Sequence, residues 1–114
     1  MILVRTITIK MDYCADPIWE DGANSDLNEF EGIFSEELLS LLEIYRYTWE
    51  KVADNKYMGI GEEYKKHKKS FQIFCDMLTK MQKECAVLCK KEQPTFKVII
   101  PIWNGTKYVY NEIK

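Results

Sequence analysis

No apolar run in this 114-residue chain approaches the ~20 residues that a membrane-spanning helix needs. The opening residues, MILVRTITIK, place the apolar block before the basic residues and then turn polar. That order does not make a signal peptide, and the expectation is a cytoplasmic protein. Histidine is nearly absent. His67 stands alone among Lys65, Lys66, Lys68 and Lys69, with no serine or cysteine placed beside it to be activated. Of the four cysteines, Cys85 and Cys89 share a helical face, but the second closely spaced pair of a structural zinc site is missing. Without a secretory leader the thiols are expected to stay reduced, and buried free cysteine is the better reading. Gly59-Ile60-Gly61 lacks the lysine and the further glycine of a phosphate loop. Asn24, Asp26 and Asn28 mimic the start of a calcium loop, yet Glu29 stands where its glycine belongs. These gaps leave no metal and no cofactor to expect, and an enzyme is the weakest of the readings.

Apolar residues at 46% and charged residues at 30% fit a globular chain and argue against disorder and collagen. The length suits a single domain over 1–114 with one core. There are no internal repeats. The net charge of -2 conceals a division along the chain. Asp12 to Asp54 holds twelve acids against only Arg46 and Lys51, and no base at all lies between Asp12 and Glu31. From Asn55 onward the balance is basic. Such asymmetry steers a basic partner, although a solvated acidic loop and helix-dipole effects explain the same acids. Lysines 65, 66, 68 and 69 with nearby aromatics resemble a nucleic-acid patch, but a pI near 5.5 and the acidic half oppose it. No nucleic acid and no membrane is expected as a partner.

Arg5 to Tyr13 alternates strictly, with Ile7, Ile9, Met11 and Tyr13 on one side: a strand with one wet face. Cys14 to Phe34 has no sustained period and reads as a long loop. Ser35 is the N-cap of a helix carrying Glu36 and Glu37 in its first turn. Leu38, Leu41, Leu42, Tyr45, Trp49 and Val52 form its stripe, which Leu39 and Ile44 widen. Asp54-Asn55 and the glycines that follow should end it. From Glu62 toward Lys91 a second helix carries Tyr64, His67, Phe71, Phe74, Leu78, Met81, Cys85 and Leu88 at steps of three and four. At ~1.5 Å per residue it would be about 45 Å long, so a bend or an end projecting past the core is expected. After Pro94, Phe96–Ile100 is strand-like, Asn104-Gly105 suits a two-residue hairpin turn, and 106–110 returns. In that register Pro101 owes a ladder bond it cannot make, and a bulge or break is expected there. The fold class is α+β: a small, mainly antiparallel sheet with two helices packed on one face, in the order β-α-α-β-β.

Asp12-Tyr13-Cys14-Ala15-Asp16-Pro17-Ile18-Trp19-Glu20-Asp21-Gly22 is the most distinctive stretch. It resembles a group of small, mostly uncharacterised bacterial proteins whose first strand ends in Tyr, runs into a Pro-x-Trp loop and is followed by a Ser-x-Glu-Leu helix, as at Ser35-Glu36-Glu37-Leu38. The likeness spans roughly residues 5 to 100; the lysine-rich second helix and the hairpin after Pro101 depart from it. In size and acidity the chain also resembles the immunity proteins of bacterial toxin systems, including contact-dependent growth inhibition. That resemblance implies a cytoplasmic protein binding a cognate toxin domain, often a nuclease, that presents a basic surface. The residues then expected to meet it are Asp16, Trp19, Glu20, Asp21, Asp26, Glu29 and Glu31, with Trp19 at the loop tip as aromatic anchor. Trp19 packed on the sheet as core is the alternative for that residue. For the whole chain the alternative is an adaptor or subunit pairing through its long second helix.

Overall fold

The computed structural model describes residues 4–12, 14–57 and 68–114, and for 52–57, 68, 70 and 71 the backbone alone. Period-two alternation produces the first strand, β1 (Thr6–Ile9), in which Ile7 and Ile9 are fully buried and Thr6 and Thr8 half-exposed. Tyr13 lies outside the described residues. The stretch from Cys14 to Phe34 is not one long loop. It holds β2 (Ile18–Glu20), β3 (Ala23–Ser25) and a 3₁₀ turn at Leu27–Phe30. Asp21 and Gly22 both have positive φ (51° and 84°), the pairing that a two-residue hairpin with right-handed strand twist requires. Strands of three residues are too short to establish a period, which is why alternation does not reveal them.

Helix α1 (Glu36–Tyr57) starts at Ser35 as expected, the hydroxyl accepting from the Leu38 amide at 3.1 Å. Asp54-Asn55 does not end it; the helix continues to Tyr57. Helix α2 runs Lys68–Glu92, and β4 (Lys97–Trp103) and β5 (Tyr108–Ile113) complete the chain. The sheet order is β3-β2-β1-β4-β5, with β1 and β4 parallel and every other pair antiparallel. The fold is α+β, as the sequence implies, with the hairpin β2–β3 added between the first strand and the helices.

Helix α2 lies across β4 and β1, and α1 packs against α2. Leu38, Leu42 and Tyr45 of α1 join Leu78, Cys85, Ala86 and Cys89 of α2 and Ile7, Ile9, Ile18, Val98 and Ile100 of the sheet in one core. Burying each large aliphatic side chain contributes about 1.5–3 kcal/mol. The two stripes are only partly buried. Ile44 is exposed instead of widening the arc, and Phe74 is 49% exposed. No described side chain of α2 before Leu78 is buried, and none of α1 between Tyr45 and residue 51. The far ends of both helices therefore project past the sheet, as their length demands. Tyr64 and His67 lie outside the described residues.

Pro101 sits inside β4 without a bulge, paired with Tyr110. The reason is the loop. Trp103 pairs with Tyr108, leaving four residues, Asn104 to Lys107, rather than two. The Asn104 amide donates to Lys107 O at 3.0 Å, and Asn104 Oδ1 accepts from the amides of Thr106 and Lys107. Alternation from that closing pair makes 102/109 hydrogen-bonded and 101/110 not, so proline has no bond to lose toward β5. On its other side β1 has already ended, its last partner in β4 being Ile99. The buried amide of Gln82 fills that gap, donating to Ile9 O at 2.8 Å and Pro101 O at 3.3 Å.

Candidate functional site

The seven acidic and aromatic candidates separate into two groups. Asp16, Trp19 and Glu20 are used by the fold. Asp16 accepts the Leu27 amide at 2.9 Å, while its backbone exchanges bonds with the Asn24 side chain at 3.0 and 2.7 Å. Glu20 forms a two-bond ion pair with Arg5 at 2.7 and 2.8 Å. That hydrogen bonding holds the Glu20 carboxyl below the ordinary carboxylate range, against a smaller opposing effect of burial. The Arg5 guanidinium also lies over the rings of Phe30 and Phe96, 5.5 and 5.0 Å from their centroids.

Trp19 is not at a loop tip. It stands in β2 opposite Thr8, on the face of the sheet away from the helices, and is half-buried. Its indole N–H donates to Lys10 O at 3.2 Å, and Lys10 Nζ sits 4.7 Å above its ring. Trp19 lies on the sheet without joining the core, so neither a loop-tip position nor a core position describes it.

Asp21, Asp26, Glu29 and Glu31 are exposed. Asp21 occupies the hairpin turn, and Asp26 caps the 3₁₀ turn through the Asn28 amide at 3.0 Å. Glu31 follows that turn and faces the start of α1. Between them runs an open groove of about 550 Å³ lined by Leu27, Phe34 and Leu39 together with Glu31, Glu36 and Glu43. A second groove of about 510 Å³ flanks the other side of the same helix and includes Glu37, Leu41, Ile44 and Glu92. Among the described residues no lysine or arginine lines either one. Arg46, from outside the lining, binds Glu43 and, at 3.0 Å, Glu50. Its Nε lies 3.9 Å from Asp16, too long for a hydrogen bond, and is buried without a hydrogen-bond partner.

Glu36 and Glu43 are legible as acids of the helix region, but nothing in the sequence shows them sharing a groove with Glu31. The anchor of this arrangement is also non-local. Glu92, at the end of α2, accepts from the Ser35 amide and hydroxyl at 2.7 and 2.6 Å, pinning the start of α1. The Asp21-Gly22 pair, by contrast, was a readable hairpin signal.

Cys85 and Cys89 are buried, as expected, and burial pushes the Cys85 thiol up to about 12 and Cys89 higher still. Cys14 differs: it is exposed in the β1–β2 connection at φ 55°. Among the described residues no group of three His, Cys, Asp or Glu could hold a metal ion, and no helix is long and apolar enough to cross a membrane. Comparison with family models, curated proteins and solved structures returns no match.

Proposed function

We propose that this protein is a non-enzymatic binding protein that docks a basic partner on the acidic flank of α1, in the manner of an immunity protein neutralising a cognate bacterial toxin domain such as a nuclease. The observation that carries the reading is the groove in which Glu31, Glu36 and Glu43 surround Leu27, Phe34 and Leu39 with no base among its described lining residues. A lysine or arginine on an apolar stem fits such a lining, with stem on hydrocarbon and charge on carboxylate. Exposed Glu29, Asp26 and Asp21 extend the same negative potential and would speed encounter more than they tighten the complex. Asp16, Glu20 and Trp19 support this surface from within the fold instead of touching the partner.

The test is binding of a cytoplasmic basic toxin domain from the source bacterium, recovered on the tagged protein at low salt and released at high salt. Neutralising Glu29, Glu31 and Glu36 together to Gln is expected to cost at least about tenfold in affinity, chiefly in association rate, with unchanged circular dichroism. Recovery that is indifferent to salt and to the triple variant would overturn the reading. It would favour the adaptor reading, which has its own observation: Ile73, Phe74 and Met77 are each about half-exposed on the projecting part of α2.

A further inference from the structure

The outer side of β5 is a six-residue strand edge that no strand among the described residues covers. Val109 and Asn111 spend their backbone bonds on β4, by the alternation that runs from the loop-closing pair 104/107. The N–H and C=O groups of Tyr108, Tyr110 and Glu112 therefore point outward. Natural sheets protect such edges with prolines, bulges, short strands or lysines pointing into the edge. Between Tyr108 and Ile113 β5 has no proline, lysine or bulge; its one charge, Glu112, lies 3.9 Å from Lys97 and 3.3 Å from Lys114, and the strand carries exposed Tyr108 (60%), Val109 (39%) and Tyr110 (62%). Trp103 lies next to it, edge-on to Tyr108 at 5.1 Å between ring centroids. The helix-free face thus ends in an aromatic row with no described strand beyond it.

We propose that β5 pairs antiparallel with β5 of a second copy of this chain, about a twofold axis at Tyr110, joining two sheets into one. Geometry restricts the axis. It must be normal to the sheet, which keeps both helix layers on the same side and sets like face against like face. The hydrogen-bonded pairs must come from Tyr108, Tyr110 and Glu112, the residues with outward backbone groups. An axis at Glu112 would set two glutamates directly opposite each other, and one at Asn111 would leave them diagonal neighbours. An axis at Tyr110 separates them and places each Glu112 carboxylate opposite the Tyr108 hydroxyl of the other copy, an acceptor facing a donor. It also brings the two Tyr110 rings together, merging both Trp103–Tyr108 pairs into one aromatic cluster. The acidic grooves lie along α1, away from this edge, so the dimer stands or falls independently of the toxin-binding reading.

Sedimentation velocity of the full chain across the micromolar range tests this, with two variants. Tyr110→Lys sets two ammonium groups against each other at the axis. Tyr110→Pro removes an outward N–H that makes no bond to β4. Wild-type protein is expected to dimerise reversibly, and each variant to weaken dimerisation by at least about tenfold while keeping the wild-type circular dichroism. If the proline variant does not fold, the lysine variant decides. Wild-type monomer at every concentration would overturn the proposal, and so would a dimer whose affinity neither variant changes.

Discussion

The two edges of this sheet solve the same physical problem in different ways. At β3 the edge is three residues long and its neighbourhood is saturated by side chains. Asn24 bonds Asp16 and Ile18, Asp16 holds the Leu27 amide, and Arg5 clasps Glu20. At β5 the edge is twice as long, exposed on both faces up to Ile113, which packs against the core, and paired among the described strands only with β4. Ile18 of β2 is fully buried, whereas no residue of β5 is. The lesson is that an edge is made inert by local hydrogen bonds and brevity, and stays available for pairing where neither is supplied.

Truncations to alanine near each edge should give losses far more unequal than the one carbon by which they differ. Ile18→Ala is expected to cost about 2–5 kcal/mol in urea unfolding, because it opens a cavity under the β2–β3 hairpin. Val109→Ala, measured in protein dilute enough to keep copies apart, should cost less than about 0.5 kcal/mol. Comparable losses would show that β5 packs as firmly as β2. Next in size is Asn24→Ala, expected to cost about 1 kcal/mol by removing the side-chain clip beside the β3 edge. Increased amide exchange at Leu27 would locate that loss.

The Arg5–Glu20 pair gives a smaller, pH-dependent effect. Its carboxyl is held below its ordinary value in the folded protein, so its contribution is present above the ordinary carboxylate range. It is lost as pH falls through the depressed folded value. Glu20→Gln should therefore unfold earlier than wild type at neutral pH, by under about 1 kcal/mol given its partial exposure, and converge with it in acid. A difference constant across pH would contradict the pairing. Smallest in energy is a labelling contrast with no mutation. Cys14, in the connection leading into β2, should be alkylated at once in native protein. Cys85 and Cys89, neutral and buried beneath the sheet, should wait for unfolding.

Several elements could be read directly from residue order. Strict alternation at 6–9, the Ser35 cap and the three-four stripe around Leu78 and Cys85 each carry a local physical cause in a few neighbouring residues. The β2–β3 hairpin was announced by Asp21-Gly22 but concealed by strands too short for a period. The candidate groove was not legible. Glu31 and Glu43 are twelve positions apart, and their approach depends on how the 3₁₀ turn packs beside α1. Phe74 keeps the helical period and Ile44 is expected to widen a buried arc, yet both lie exposed, because period describes which side chains share a face and not whether anything covers that face.

By itself the sequence determined the class of the fold, the acidic first half, and the buried residues of β1 and the two helix stripes such as Ile7, Ile9, Leu38, Leu42 and Leu78, since propensity, capping and apolar period act over a few residues. Tertiary structure alone decided the rest. It spent Glu20 and Asp16 on the fold, laid Trp19 on the sheet, seated Pro101 where it owes no bond, and left β5 open. Those outcomes depend on contacts between residues distant in the chain, Arg5 with Glu20, Gln82 with Ile9 and Pro101, Glu92 with Ser35, and no local pattern encodes which of them form.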